Sequence, residues 1–210
     1  MITRTLVVDP RAPQLSALHE AISLLWNGRL VAFPTETFYG LGAHALDAEA
    51  VERVFAAKGR PAEKPLIILV ESIAMVEKLS REISPKAREL MVRYWPGPLT
   101  LVLPAGDGLP PSLTAGTGTI SVRVPGHPLA LALVRAAGIP VTAPSANPSG
   151  AEPPTTAGQV LSGLGGRIDL ILDGGPTAGG PPSTILDMTV EPPRVLRGGA
   201  VQVLDSQCHP

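Results

Sequence analysis

The chain has 210 residues, of which 44% are hydrophobic, 17% are charged and 3% are aromatic, and its formal net charge is −1. This composition predicts a single domain over residues 1–210, with its core at about 12–200 and enough apolar material to fill it. It excludes a generally basic surface and argues against an aromatic platform for single-stranded nucleic acid. Any anion-binding site must therefore be a local cluster of cations.

The sequence carries few signals of location or redox chemistry. Its one cysteine, Cys208, excludes a disulfide framework and a zinc site built on cysteines. No apolar run approaches the ~18 residues of a membrane span, and no basic segment followed by an apolar one marks a signal peptide. We therefore expect a cytoplasmic protein that makes no membrane contact.

Helix and strand patterns alternate through most of the chain, and strands dominate its last third. From the N-terminus, apolar spacing and capping signals predict a helix over Leu15–Trp26, a strand at Leu30–Phe33, a helix between Asp47 and Gly59, a strand at Pro65–Val70 and a helix beginning at Ser84-Pro85. Further along they predict strands at Leu99–Leu103 and Ile120–Val124, a helix from Pro128 to Gly138, and strands at Val141–Ala143, Ile168–Leu172, Thr184–Met188 and Val195–Leu196. This order is typical of an α/β domain with a mixed sheet rather than of a purely doubly wound one.

Several common catalytic motifs are missing from the sequence. There is no Walker-type phosphate loop, and Gly40-Leu41-Gly42 lacks the third glycine of a dinucleotide-binding fingerprint. The four histidines are scattered, which argues against a histidine-based metal site or a catalytic triad. What remains is a set of hydroxyl, amide and cationic side chains near strand ends, where open α/β sheets bind ligands.

The first candidate residues lie at the ends of a predicted strand, Leu30–Phe33, and of the predicted helix that follows it. The segment Thr35–Thr37 follows a strand, so it forms either a ligand-binding turn or a simple capped turn. Lys58, Arg60 and Lys64 form either an anion clamp or a group of cations that complements a helix C-terminus. The residue types alone leave both pairs of alternatives open.

Later strands carry a second group of candidates. Alternation along a strand puts Ser121 and Arg123 on one face, and a buried arginine there needs a partner. The glycines after Arg197 allow close backbone approach. Ser145 and Asn147 open the loop after the strand Val141–Ala143, where they form either a ligand contact or a simple Asn–Pro turn. Ser183 begins the strand that continues from Thr184, and Arg197 ends the last strand. Such a site suits catalysis by positioning and charge stabilisation, with phosphoryl or nucleotidyl transfer as the leading example.

Six motifs, in order along the chain, resemble those of the YrdC/Sua family. They lie at Phe33–Gly42, Lys58–Pro61, Tyr94–Thr100, Ser121–Pro125 with His127-Pro128, Ala143–Asn147 and Pro182–Ile185. The resemblance implies the family fold, a twisted mixed α/β sheet with flanking helices and a deep, positively lined cavity. It also implies an L-threonylcarbamoyladenylate synthase, which joins L-threonine, bicarbonate and ATP into threonylcarbamoyl-AMP and releases pyrophosphate. In that family Mg²⁺ accompanies ATP, and a separate tRNA threonylcarbamoyl transferase complex uses the product, with a weak tRNA contact by the synthase as a further expectation.

The resemblance also implies roles for individual residues. Thr35, Arg123 and Ser183 are expected to bind threonine, with Arg123 on its carboxylate. Lys58 and Arg60 are expected to be catalytic and to bind the nucleotide phosphates. The other expected contacts on the nucleotide or Mg²⁺ side are Thr114, Ser145, Asn147 and Arg197. The metal ligands themselves stay unassigned.

The sequence departs from the family pattern in two places. Leu69 stands where some members have a histidine, which affects the expected details of threonine binding. The chain length leaves no room for the second domain of the longer members. We therefore expect the segment Pro176–Pro182, the C-terminal tail or a partner to close the nucleotide site.

Three other functions compete with the synthase. The first is a YciO-like paralogue with the same cavity but another nucleotide or an RNA ligand. The second is an RNA-binding module, which the net charge and the few aromatic residues disfavour. The third is a carbamoyltransferase of the HypF type, which needs zinc-finger and acylphosphatase regions that this sequence lacks.

Overall fold

The computed structural model of the protein describes residues 2–60 and 65–203. The helices in these ranges are α1 (Leu15–Trp26), α2 (Ala48–Lys58), α3 (Ile73–Leu79), α4 (Pro85–Tyr94), α5 (Pro111–Thr114), α6 (Pro128–Ala137) and α7 (Ala157–Leu164). The strands are β1 (Arg4–Val7), β2 (Val31–Pro34), β3 (Tyr39–Gly42), β4 (Ile67–Leu69), β5 (Leu99–Pro104), β6 (Thr119–Arg123), β7 (Val141–Thr142), β8 (Leu170–Asp173), β9 (Thr184–Asp187) and β10 (Arg194–Arg197). None of the helices in the described ranges is both long and apolar enough to cross a membrane. Lys64 and Cys208 lie outside the described residues.

Local sequence signals set the ends of helices α2 and α4. The side chain of Asp47 accepts hydrogen bonds from two backbone N–H groups in the first turn of α2. Gly59 ends the same helix in the left-handed conformation, with φ at 59°. Ser84 caps α4, and Pro85 occupies its first turn, where proline needs no hydrogen-bond partner. These ends confirm the capping signals in the sequence.

The strands form two mixed sheets, where the sequence predicted one. The four-stranded sheet has the order β1-β8-β2-β3, with β8 parallel to both of its neighbours and β3 antiparallel to β2. The six-stranded sheet has the order β10-β9-β5-β6-β4-β7, in which antiparallel and parallel neighbours alternate. The mixed α/β class is therefore confirmed, and the single sheet is corrected to two.

Strand β3 joins the two sheets along a seam. The backbone N–H of Leu41 donates to the carbonyl oxygen of Pro144 across 2.8 Å, and the N–H of Ala146 donates to the carbonyl oxygen of Tyr39 across 2.8 Å. These bonds hold the loop after β7, which carries Ser145, beside the strand that follows the β2–β3 turn. The seam thus brings together segments that lie far apart in the sequence.

The four-stranded sheet lies between two hydrophobic cores, because alternate residues of a strand point to opposite faces. Phe33 and Leu172 pack in a cluster with α1 and α6. Ala32 and Ile171 pack in the other cluster, which includes residues of α2, α4 and β5. All four side chains are fully buried. Burial on both faces holds the ends of β2 and β8 in place beside the site.

All of the predicted helices and strands are present with small shifts at their ends, and five further elements were missed. Strand β3 contains two glycines and is a poor strand former by itself, but it pairs with β2 and is hydrogen-bonded to the loop after β7. Strand β1 is an exposed edge strand without clear alternation. Helices α3, α5 and α7 are short, and short helices give little periodicity for a sequence pattern to detect.

Candidate functional site

A cavity of about 1100 Å³ lies along the seam between the two sheets. Its walls come from the β2–β3 turn, from strands β3, β4, β5 and β6, from the loop after β7, and from β9 and the end of β10. The sequence-predicted site residues that line it are Thr35, Arg60, Arg123, Ser145, Ser183 and Arg197. The fold therefore brings these six residues to one space, although they come from elements spread over most of the chain.

Three arginines give the cavity its cationic character. Burial lowers the pKa of Arg60, Arg123 and Arg197, and repulsion from Arg123 lowers the pKa of Arg197 further. All three stay charged at neutral pH, because guanidinium groups are not deprotonated in proteins. The carboxylates of Glu152 and Asp187 also line the cavity. The mixture suits an anionic ligand that also brings a cation or an amine.

Arg123 is held from behind by an ion pair. Its side chain is 4% exposed, and its Nη1 atom donates to Oε1 of Glu36 across 2.6 Å. Ser121 and Arg123 share one face of β6, as the alternation predicted, and this face lines the cavity. Glu36 lies outside the cavity lining, and Nε of Arg123 has no partner among the described residues. A buried arginine whose Nε–H has no protein partner can donate to a carboxylate or phosphate oxygen in the cavity.

The position of Thr35 is compatible with both alternatives that the sequence left open. Its hydroxyl donates to the carbonyl oxygen of Phe38 across 2.7 Å and accepts from the backbone N–H of Thr37 across 3.3 Å. Thr35 thus caps the β2–β3 turn, as the simpler interpretation of the pattern proposed. It also lines the cavity, so a ligand there meets a threonine whose rotamer the turn has already fixed.

Lys58 lies behind the cavity wall instead of in it. The side chain is 3% exposed, and Nζ donates to the carbonyl oxygens of Ser145 and Asn147 across 2.5 and 2.6 Å. Burial, aided by repulsion from Arg60, lowers the pKa of Lys58 to about 8. The lysine thus supports the loop that carries Ser145 into the cavity.

Asn147 also lies outside the cavity lining. Its Nδ2 atom donates to the carbonyl oxygens of Pro148 and Ala151 across 2.9 and 2.7 Å. Its Oδ1 atom is buried without a partner among the described residues. The side chain therefore shapes the loop after β7 from within, and the one polar atom it leaves free is an acceptor.

The structure does not bring Thr114 to the cavity. Its hydroxyl donates to the carbonyl oxygen of Pro111 within α5, whereas Thr117 and Thr119 line the cavity. Sequence reasoning missed these two threonines. The sequence carried a signal for them, because Thr117, Thr119, Ser121 and Arg123 stand at every second position, and alternate residues of a strand share one face.

Arg197 and Ser183 are joined at the end of β10. Nε and Nη2 of Arg197 donate to the carbonyl oxygen of Ser183 across 3.1 and 2.8 Å. The backbone of Gly199 lies close to the backbone of Pro182 and Ser183, since a Cβ at Gly199 would lie 2.2 Å from the carbonyl oxygen of Pro182. A Cβ at Gly198 would meet nothing within 4 Å. The close backbone approach expected after Arg197 is therefore found at the second glycine only.

The segment Pro176–Pro182 borders the cavity and is tied to its walls. The backbone N–H of Gly179 donates to the carbonyl oxygen of Thr37 across 2.9 Å. At the start of the same loop, the hydroxyl of Tyr39 donates to the carbonyl oxygen of Gly175 across 2.7 Å. Burial and the nearby Asp173 carboxylate raise the pKa of Tyr39, which keeps this donor protonated.

The fold and the cavity define an α/β protein with an arginine- and hydroxyl-lined site whose chemistry suits an anionic ligand. The Sua5/YciO/YrdC family, described under the heading telomere recombination, matches residues 23–199. The chain therefore belongs to the Sua5/YciO/YrdC family, as the six motifs predicted.

Relatives and solved structures agree with this assignment. A threonylcarbamoyl-AMP synthase from Pyrococcus abyssi is 50% identical over 181 residues, which cover 86% of this chain and 53% of the relative. The crystal structure of P. abyssi Sua5 complexed with L-threonine has a TM-score of 0.91 at 47% identity and covers 94% of this chain and 58% of that one. The structure of Escherichia coli YciO has a TM-score of 0.87 at 27% identity and covers 96% and 98%. The chain spans about half the length of the first curated relatives it matches.

Proposed function

We propose that this chain is a nucleotidyltransferase that makes threonylcarbamoyl-AMP and pyrophosphate from L-threonine, bicarbonate and ATP. The observation that carries the proposal is the convergence of Arg60, Arg123 and Arg197 with hydroxyl groups in one cavity of about 1100 Å³. Pockets for one small ligand commonly measure about 300–1000 Å³, so this one has room for an amino acid beside a nucleotide. Relatives named as synthases support the choice of substrates.

The proposed reaction needs positioning and charge neutralisation more than a protein nucleophile. Threonine and bicarbonate first combine with loss of water to a carbamate on the threonine nitrogen. A carbamate oxygen then forms a bond to the α-phosphorus of ATP, while the bond from that phosphorus to the bridging oxygen of the β-phosphate breaks. Pyrophosphate leaves with the electron pair. Fixed arginines can bring two anions together, the threonine carbamate and ATP, and can stabilise a third, the departing pyrophosphate.

The cavity residues divide naturally between the two substrates. Arg123 and Ser183 are proposed to hold the carboxylate of threonine, with Thr35 on the same side. Arg60 is proposed to bind the phosphates, because within residues 2–60 and 65–203 its Nη2 atom makes only a long hydrogen bond of 3.3 Å, to the carbonyl oxygen of Pro65. Nε of Arg60 is buried without a partner among the described residues, which leaves it available to an anion.

Mg²⁺ is proposed to enter with ATP. Within the described ranges, no group of three His, Cys, Asp or Glu side chains is placed to hold a metal ion. This fits Mg²⁺, which keeps several waters and is commonly bound by substrate phosphates and one or two carboxylates. Glu152, in the cavity wall, would supply such a carboxylate. The ion would supply charge neutralisation on the phosphates.

The proposed product is a mixed anhydride between a carbamate and a phosphate, so it must pass to an acceptor soon after release. We propose that the acceptor is tRNA, served by a separate tRNA threonylcarbamoyl transferase complex in the cytoplasm. A YciO-like paralogue with another ligand is the second candidate. It is disfavoured because the chain is 47% identical to P. abyssi Sua5 and only 27% identical to YciO over similar shares of its length.

The test is pyrophosphate release from ATP and Mg²⁺, with threonine and bicarbonate each omitted in turn and with serine in place of threonine. The proposal expects release only when both are present, and poor release with serine. An Arg60→Gln variant, purified in parallel, shows whether the release comes from this chain and not from a contaminant. Nucleotide binding without pyrophosphate release under any combination would overturn the synthase in favour of the paralogue.

A further inference from the structure

The hydroxyl of Ser183 accepts two hydrogen bonds from the protein. Oγ1 of Thr100 donates to it across 2.9 Å, and Nη2 of Arg197 donates to it across 3.0 Å. A hydroxyl oxygen has two acceptor positions and a single proton. Because both acceptor positions are filled, this group can offer a ligand only its proton.

The hydroxyl group of Ser183 lies in the cavity wall. Ser183 is 4% exposed and lines the cavity, while its carbonyl oxygen is held by the guanidinium of Arg197. Among the residues that the structure describes, none accepts a hydrogen bond from this hydroxyl. The remaining partner for the proton is therefore a molecule in the cavity.

Thr100 cannot itself contact such a molecule. It is fully buried in β5, behind Ser183, and does not line the cavity. The two hydroxyls meet because β5 and β9 are parallel neighbours that place Leu99 opposite Thr184, the residue after Ser183. A buried threonine hydroxyl aimed at a cavity residue is thus a consequence of strand register.

We infer that Thr100 is a positioning residue, which with Arg197 fixes the hydroxyl of Ser183 as a donor for an acceptor oxygen of the ligand. The inference rests on the proposed function, in which that oxygen belongs to the carboxylate of threonine. A freely rotating serine can donate or accept, so it tolerates an amide N–H at the same place. When Ser183 is fixed as a donor and Arg123, which only donates, holds the other oxygen, an amide must turn its N–H toward one of these two donors. The pair therefore sets specificity for a carboxylate.

The first test is a Thr100→Val variant of the full chain, which keeps the side-chain shape and removes the donor. We expect the KM for threonine to rise about 3- to 10-fold, the range of one neutral hydrogen bond, with the KM for ATP changed less than about twofold. L-threoninamide should compete with threonine better in the variant than in the wild type. Thr100→Ser keeps the hydroxyl, so the KM for threonine and the competition by L-threoninamide should both equal those of the wild type.

The matched control is Thr142→Val in β7. Thr142 is also fully buried, and its hydroxyl bonds to the backbone of Leu41 and Ala43, but it does not line the cavity. This variant should lose stability without changing the ratio of the two KM values. If the KM for threonine rose only because the sheet was weakened, it would rise equally in Thr100→Val and Thr142→Val.

A double-mutant cycle separates this inference from the proposed function. In a Ser183→Ala background, Thr100→Val should add no further rise in the KM for threonine, because it acts through the missing hydroxyl. Additive effects, or a Thr100→Val enzyme with an unchanged KM for threonine, would overturn the inference while leaving the synthase intact. A wild-type chain without threonine-dependent pyrophosphate release would instead overturn the proposed function.

Discussion

The ammonium group of Lys58 donates to the backbone carbonyl of Asn147 across 2.6 Å, and so ties the end of α2 to the loop after β7. The carbonyl of Lys58 completes the link, because it accepts from the backbone N–H of Ser149 across 2.7 Å. Main chain and side chain of one lysine therefore hold the loop that presents Ser145 to the cavity. Lys58 acts on the site through this loop.

Burial of Lys58 makes the stability of the protein depend on pH in a defined direction. Burial lowers its pKa from 10.5 to about 8, so between these values the unfolded chain binds more protons than the folded one. The stability that this group contributes is fully present above about pH 10.5 and is lost as the pH falls through about 8. The free energy of unfolding of the wild type, relative to Lys58→Met, should therefore rise between pH 8 and 10 in urea denaturation. A difference that stays constant with pH would contradict the burial of the amine.

Arg60 is expected to bind phosphate without supporting the fold. Arg60→Gln should raise the KM for ATP about tenfold or more, since a charge-assisted contact to phosphate is lost, and should leave the midpoint of urea unfolding unchanged. Arg88→Gln, which changes an exposed arginine paired with Glu77, is the control and should leave the KM unchanged. Loss of folding in Arg60→Gln would show that this arginine is structural.

The ion pair between Glu36 and Arg123 is expected to matter for stability. Glu36→Gln leaves a guanidinium that is 4% exposed without its counter-charge, which should cost about 3 kcal/mol of unfolding free energy. Glu77→Gln breaks an ion pair of similar length between half-exposed side chains and should cost less than about 1 kcal/mol. Urea denaturation of both variants at pH 7 measures the difference. Equal losses would mean that burial of the first pair has no energetic consequence.

The two glycines after Arg197 provide a matched pair of variants. Gly199→Ala places a Cβ 2.2 Å from the carbonyl oxygen of Pro182, so the backbone of Ser183 must move, and we expect a loss of about 1–3 kcal/mol with a raised KM for threonine. Gly198→Ala meets nothing within 4 Å and should change stability by less than about 0.5 kcal/mol. The measurements are urea midpoints and the KM for threonine. A raised KM for threonine in Gly198→Ala would show that loop flexibility, and not close packing, matters here.

Short-range patterns in the sequence were enough for the local structure and for part of the site. Asp47 and Gly59 mark both ends of α2, because a cap needs only neighbouring residues. The alternation of Ser121 and Arg123 correctly put both on one face of β6, which the structure shows to line the cavity. The six motifs identified the family, since their order and spacing together are far more specific than any single residue.

Only the tertiary structure decided which candidates reach the cavity. Lys58 and Arg60 are two positions apart, yet one is buried behind a loop and the other lines the cavity, on either side of the left-handed turn at Gly59. The hydroxyls of Thr100 and Ser183 are hydrogen-bonded although 83 positions separate the two residues. Helix ends and strand faces follow from bonds between near neighbours, so the sequence alone determined them. The seam, the second sheet and these pairings depend on register between distant strands, which no local pattern encodes.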